Sequence, residues 1–380
     1  MSFRLSTIQE YSRFVAIDIG SCKIRVLICE IENGSLKLLG KASVRQNRNH
    51  MMDGDIANMR GVSDMIQKAI LKASDGLESI PEDIIVTFSS NIMPHDILTM
   101  NYARADKTST ITLEEIDSMI KRVEKRSYDR IKENLLSTIG TKNIDLKLIS
   151  SSLTSIYIDG KRISNPIGFT GKDIRFTILN IYAPMVDFEN LHMVINSLDR
   201  KTISLVPKTV LYPKVLESSP YIFDTNLYLD IGYARTNMVF EVQNEIVGYS
   251  VLPIGISTIE AEMMRIDPDK TFLDIENSIV DMLSMTPEAL AKSAKYKTYS
   301  GIISDFFTLL SGQINIQAKQ ISKELVIKNL FLMSNPAAAK GVKEHITKHL
   351  ANTHHAKVRI QVPEIQIGDT TLEIEYASVA

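Results

Sequence analysis

Cysteine is almost missing from this 380-residue chain, which holds only Cys22 and Cys29. The two stand seven residues apart in one extended stretch, and at about 3.3 Å per residue their sulfurs are too distant to bond. A disulfide framework is thereby excluded, and both read as reduced, cytosolic thiols. An excess of one charge sign is missing as well, since 43 Lys and Arg face 45 Asp and Glu for a net charge of -2. No global field draws the chain onto nucleic acid or an acidic membrane. No apolar run reaches the ~18 residues of a membrane span, and the polar segment 1–13 has no signal-peptide core. The chain is expected to stay in the cytoplasm. Neither G-x-x-x-x-G-K-[ST] nor G-x-G-x-x-G occurs, which closes the P-loop and Rossmann routes to nucleotide binding. No Cys sits in a recognisable arrangement with His and Asp, so covalent hydrolase chemistry has no support.

What is present is globular. Hydrophobic residues make up 44% and charged residues 23%, ordinary usage for a folded domain. Single cores stop growing near ~250–300 residues, so two halves are expected. Residues 13–19 (RFVAIDI), 24–31 (IRVLICEI) and 36–43 predict a three-stranded meander with an Asn33-Gly34 turn. A helix follows over 61–73, then a strand over 83–88. Thr112 with Glu115 reads as a capping box opening a further helix. That helix carries a basic outer face of Lys121, Arg122, Lys125 and Arg126, which reads as a solvated surface.

From residue 226 the first pattern returns: a strand over 226–231 (NLYLDI), a glycine turn, a strand over 236–242, a Gln243-Asn244 turn and a strand over 245–253. In each copy an apolar strand ends in Asp-Ile-Gly, at Asp18 and at Asp230. One such tripeptide is only a strand ending, but two in matching hairpins mark an internal repeat. A turn opened by glycine at positive φ can aim consecutive N–H groups into one concavity and cradle phosphate. Two such turns, opening at Gly20 and Gly232, would clamp a phosphate chain. Asp18 and Asp230, one at each strand's end, are placed to hold water on Mg²⁺, and Lys23 adds a positive charge.

These residues also carry a family resemblance. Residues 14–31 (FVAIDIGSCKIRVLICEI) resemble the first phosphate motif of the actin, Hsp70 and sugar-kinase superfamily, 229–240 (LDIGYARTNMVF) the second, and 330–341 (LFLMSNPAAAKG) its adenosine motif. Within that superfamily the chain is similar to the FtsA family of bacterial division proteins, because 165–171 (NPIGFTG) resembles its N-P-x-G-[LM]-x-G segment.

The resemblance implies an α/β, actin-like two-lobed fold of duplicated RNase H-like halves with an FtsA-type inserted subdomain. It divides the chain into a first lobe over 1–83, completed by 176–205 and 357–380, an insert over 84–175, a second lobe over 206–256 and 301–356, and a small outer subdomain over 257–300. It implies ATP and Mg²⁺ as cofactors, with Asp18, Gly20, Ser21, Cys22, Lys23, Asp230, Gly232, Tyr233, Arg235, Thr236, Gly255, Ser334, Asn335 and Pro336 as the binding residues. Asp18 and Asp230 are the Mg²⁺ contacts. It further implies filament formation through the insert, binding of the FtsZ C-terminal tail by the outer subdomain, contacts with other divisome proteins, and a place at the inner face of the membrane at the division site.

Departures from the family pattern qualify the chemistry. Tyr233 and Ala234 replace glycines of the second turn, so phosphate approach there is expected to be looser. Ser334, Asn335 and Pro336 stand where relatives keep a Gly-Gly pair against the base. Tyr212 occupies the place of the usual water-orienting Glu or Gln, and a phenol serves poorly there. Slow or absent hydrolysis follows. Residues 371–380 resemble the start of the family's final core helix, and the amphipathic membrane helix that relatives add is not in the sequence. A nucleotide-free scaffold and an actin-fold kinase remain as alternatives. His345, His349, His354 and His355 invite a metal reading that lacks a carboxylate partner motif, and Met263, Met264, Met282 and Met285 read as core filler.

Overall fold

The computed structural model describes residues 12–90, 93–139, 144–216, 224–333, 340–351, 353–368 and 370–373. They form two compact units, one from residues between 92 and 192, the other from those before and after it.

The larger unit opens with β1 Arg13–Ile19, β2 Lys23–Glu32 and β3 Ser35–Arg45, an antiparallel meander. Val15, Ile17, Ile24, Val26 and Leu27 are fully buried, as strands covered on both faces require. Asn33 and Gly34 close the second hairpin with φ of 52° and 77°, the double left-handed geometry of a type I′ turn. A small ribbon of β4 Met51–Met52 and β5 Asp55–Ile56 leads to helix α1 Met59–Ala73, capped by the Asn58 side chain. Then β6 Asp83–Phe88 lies parallel to β1. The expected insert began at Ile84, but Ile84 sits in β6, inside this first sheet.

The smaller unit is built from β7 His95–Ala103, helix α2 Leu113–Ile139, β8 Leu146–Ile158, β9 Lys161–Arg162 and β10 Asp173–Pro184, running into α3 Met185–Asn196. Its four strands pair in the order β7-β10-β8-β9, all antiparallel. Ile116, Ile120 and Val123 of α2 pack on Leu98, Phe176 and Ile178 of the sheet. Lys121, Arg122, Lys125 and Arg126 are exposed, as the helix pattern predicts. The capping box is only half made. Glu115 N donates to Thr112 Oγ1 at 3.2 Å, but the Glu115 carboxylate takes Arg104 at 2.9 and 3.1 Å instead of turning back, because a buried guanidinium demands a charged partner. Within the 165–171 segment Phe169 is 48% exposed, and it is tied back by Ile111 N donating to Phe169 O at 2.8 Å.

The chain returns to the larger unit as β11 Lys201–Pro207, parallel to β6, and short helix α4 Lys208–Val215. The repeat follows: β12 Thr225–Ile231, β13 Thr236–Val242 and β14 Glu245–Leu252, again an antiparallel meander. Gln243 and Asn244 close it with φ of 51° and 63°, the same turn geometry as its counterpart. Helices α5 Ile256–Ile266, α6 Phe272–Ser284, α7 Pro287–Lys292 and α8 Ser300–Ile321 precede β15 Asn329–Leu332, α9 Lys340–Leu350 and β16 Arg359–Gln361.

The first sheet runs β11-β6-β1-β2-β3 and the second β16-β15-β12-β13-β14. In both, the meander is antiparallel and the two remaining strands are parallel to its first strand. Duplication of the hairpins thus extends to two whole five-stranded sheets. Residues 359–361, expected in the first lobe, form the edge of the second sheet through pairing with β15. The last hairpin pairs β17 Ile365–Ile367 with β18 Thr370–Leu372, so residues 371 and 372, the first two of the segment expected to start a helix, are strand. Its Glu373 pairs with Lys41 of β3 at 2.7 Å. Residues 374–380 lie outside the described residues.

Met263 and Met282 are fully buried in the core of the second half, with Met264 and Met285 packed against it. Some charges of the outer segment 257–300 pair with one another, Asp267 with Lys270 at 3.3 Å and Asp281 with Lys295 at 3.0 Å.

Candidate functional site

Each meander turns over at its glycine in the same way. Gly20 N donates to Lys23 O at 3.0 Å, and Gly232 N donates to Arg235 O at 2.9 Å. A Cβ at Gly20 would lie 2.7 Å from Lys23 O, and one at Gly232 would lie 2.8 Å from Arg235 O. Neither glycine has positive φ, contrary to the expected reason for its presence. Bare backbone is needed because the carbonyl three residues on comes too close for a side chain. Gly255, the residue before α5, is tighter still: a Cβ there would lie 2.4 Å from Tyr233 O and 2.7 Å from Gly232 O.

Both turns line one cavity of about 480 Å³, within the usual range for small-molecule sites. Asp18, Gly20, Ser21, Cys22, Lys23, Asp230, Gly232, Tyr233 and Arg235 of the predicted set all reach its wall. Ile256, Ile279, Leu283 and Met333 supply an apolar side. Thr236 does not join them; its hydroxyl donates to Ile254 O at 2.8 Å and it is fully buried. Ser334, Asn335 and Pro336 lie outside the described residues.

The two aspartates are held in parallel fashion by partners of different charge. Hairpin register sets Asp18 opposite Arg25 and Asp230 opposite Asn237. Arg25 Nη1 donates to Asp18 Oδ2 and Asn237 Nδ2 to Asp230 Oδ2, each at 3.0 Å. Thr87 Oγ1 donates to Asp18 Oδ1 at 2.9 Å, and the Lys208 ammonium pairs with the same oxygen. Asp18 has no exposed surface. Its carboxylate therefore faces two cations, whereas Asp230 receives neutral donors, the second being the Tyr212 hydroxyl at 2.6 Å.

Tyr212 is wholly buried, and burial first, then the Asp230 charge beside it, push its phenol well above the ordinary value. It stays protonated and serves Asp230 as a donor, so it neither takes a proton nor orients water. Tyr212→Phe is expected to lower stability by about 1–2 kcal/mol, because Asp230 loses one of two donors. Denaturant unfolding monitored by circular dichroism checks this; an unchanged midpoint would contradict the bond.

Three arginines bridge the two halves around the cavity. Arg45 of β3 pairs with Glu276 of α6 at 2.5 Å, and Arg48 pairs with Glu260 of α5. Arg235 of the second turn reaches Asp55 Oδ1 and Asp53 O, both at 3.0 Å. Tyr233, expected to crowd the phosphate turn, donates to Glu260 Oε2 at 3.1 Å and accepts from Arg48 at 3.1 Å. Its bulk is thus drawn into the Arg48–Glu260 cluster.

Mg²⁺ held between Asp18 and Asp230 does not fit these residues. Both oxygens of Asp18 are engaged, one by Arg25 and the other by Lys208 with Thr87, so a divalent cation or its water shell would have to displace an ammonium. Among the described residues no group of three or more His, Cys, Asp or Glu is placed to hold a metal ion. Two of the four histidines serve packing instead: His345 is 2% exposed and stacks on Phe307 at 5.0 Å, and buried His355 accepts at Nδ1 from Ile327 N at 3.1 Å. Both cysteines are free.

Arg25, Asn237, Thr87 and Lys208 were not among the predicted site residues. The first two were legible, since a hairpin closed at residues 20–23 must set 25 opposite 18, and its copy 237 opposite 230. Lys208 had no such signal, because it arrives from the other side of the insert.

No family model matches the chain, and no curated protein matches it. Solved structures do. The chain is similar to one in the PilM–PilN type IV pilus biogenesis complex at 13% identity and a TM-score of 0.62, over 91% of this chain and 90% of that one. The fold is actin-like. The same actin-like layout is similar to the ethanolamine utilization protein EutJ from Carboxydothermus hydrogenoformans, at 11% identity and TM-score 0.51 over 96% and 86% of the two chains. A diol dehydratase-reactivating factor in nucleotide-free form gives 9% identity and TM-score 0.50 over 97% and 98%. At such identities the likeness carries the fold alone. Among the described residues no helix is long and apolar enough to cross a membrane.

Proposed function

We propose that this chain is an actin-like protein that binds ATP in the cavity lined by its two glycine turns and acts by assembling and recruiting partners. The observation that carries the reading is the duplicated turn: two glycine hairpins of the same hydrogen bonding, one from each sheet, wall a single cavity of about 480 Å³. The backbone of 20–23 and 232–235 would receive the phosphates, with Lys23 and Lys208 as side-chain cations, while Ile256, Ile279, Leu283 and Met333 would face the nucleoside.

Division is the cellular role that the sequence resemblance favours. In that role the chain polymerises, binds the FtsZ C-terminal tail and other divisome proteins, and works as a septal cytoskeletal element at the inner face of the membrane. Exposed Ile167 and Phe169, at 37% and 48%, give the smaller unit an apolar point suited to a filament contact. Likeness to a chain of a two-protein complex in pilus biogenesis supports recruitment as the mode of action, and leaves the partner to experiment. Hydrolysis is slow in this reading, because Tyr212 is committed to Asp230.

A second reading, a scaffold that has lost the nucleotide, is favoured by the ion pairs already made at Asp18. Calorimetric titration with ATP separates the two. One-to-one saturable binding is expected, lost in Gly232→Val; absence of heat at millimolar ATP would leave the scaffold reading standing. Co-sedimentation with an FtsZ tail peptide tests the division role, and failure to co-sediment would remove it.

A further inference from the structure

Two cations of the chain stand at the first glycine turn. Lys208 opens helix α4, lines the cavity, and places its ammonium on Asp18 Oδ1 with only 11% of its side chain exposed. Arg25, 15% exposed, holds the other oxygen of the same carboxylate at 3.0 Å. Buried charges are poorly screened by salt. A divalent cation at Asp18 would stand beside two cations already paired with that carboxylate, and like charges at such separations repel strongly. At Asp230, Oδ2 is already taken, since it accepts from both Tyr212 and Asn237. A nucleotide polyphosphate meets the opposite situation: Lys208 and Lys23 both face the cavity beside the first turn, and an ammonium suits a phosphate as a point charge.

We propose that this site binds the polyphosphate of a nucleotide without a divalent metal ion, with the Lys208 ammonium serving the phosphates where other nucleotide sites use Mg²⁺. The proposal rests on the nucleotide reading above. It makes binding insensitive to chelation, and makes Lys208 the residue whose charge matters.

Equilibrium dialysis of the whole chain against radiolabelled ATP, once with Mg²⁺ and once with excess EDTA, tests it without any substitution. Affinities within about threefold of one another are expected. Lys208→Gln is expected to weaken the EDTA affinity at least tenfold, while Lys208→Arg, which keeps the charge, retains most of it; melting curves of both variants establish that they fold. Binding with Mg²⁺ that falls tenfold or more in EDTA overturns the metal-free proposal and leaves the nucleotide reading intact. Binding in neither buffer removes both.

Discussion

Asp18→Ala is expected to destabilise the folded chain by roughly 3–5 kcal/mol, the cost of breaking a buried ion pair by removing one partner. The carboxylate has no exposed surface and holds the Lys208 ammonium, Arg25 Nη1 at 3.0 Å and Thr87 Oγ1 at 2.9 Å. Deleting it strands an ammonium and a guanidinium in a cavity wall with little water to solvate them. Asp18→Asn keeps an acceptor for Thr87 but not the charge, and should lose somewhat less. Adding Lys208→Met to Asp18→Ala should recover part of the loss, since the stranded ammonium goes too; a double-mutant cycle reads that coupling. Urea unfolding followed by circular dichroism is the measurement, and a loss under about 1 kcal/mol for Asp18→Ala would mean that these pairs contribute nothing in solution.

Acidification should remove stability between about pH 6.5 and pH 4, and His345 should carry a full proton's share of that loss. Burial first, then the neighbouring His349 and Lys348 charges, lower the His345 pKa from 6.5 to about 4. The folded chain therefore holds this ring neutral, stacked on Phe307, while the unfolded chain protonates it. Between the two pKa values the unfolded state binds more protons, so stability is complete above pH 6.5, falls as pH drops through the window, and levels off below pH 4. The total is on the order of 3 kcal/mol for one such group. His95 is lowered to about 4 in the same direction, also by burial, so His345→Leu should flatten the profile without abolishing its slope. Unfolding free energies taken at half-unit pH steps test this; parallel profiles for wild type and His345→Leu would show that the ring titrates normally in the folded chain.

Much of the fold was legible because alternation and turn chemistry act locally. The strands over 13–19, 83–88 and 236–242 begin and end where the apolar runs do, and Asn33-Gly34 and Gln243-Asn244 turn as their residue types predict. The repeated Asp-Ile-Gly located the two turns that meet at the cavity. Tertiary context governed the rest. Glu115 left its helix cap for Arg104, because a buried guanidinium outweighs a cap bond at an exposed helix end. Ile84 belonged to the first sheet and residues 359–361 to the second, memberships set by long-range pairing and not by composition. Lys208 was invisible for the same reason: nothing near residue 208 in the sequence says that its ammonium will meet a carboxylate at residue 18. The φ values of Gly20 and Gly232 show that the right residue was found for a different physical need, close carbonyl approach in place of a left-handed backbone.

A structure determined with ATP bound tests most directly whether the two glycine turns grip one nucleotide. Phosphate density against the backbone of 20–23 and 232–235, with the base toward Ile279 and Leu283, is the predicted result. Density lying elsewhere on the chain, or touching one turn only, would contradict it.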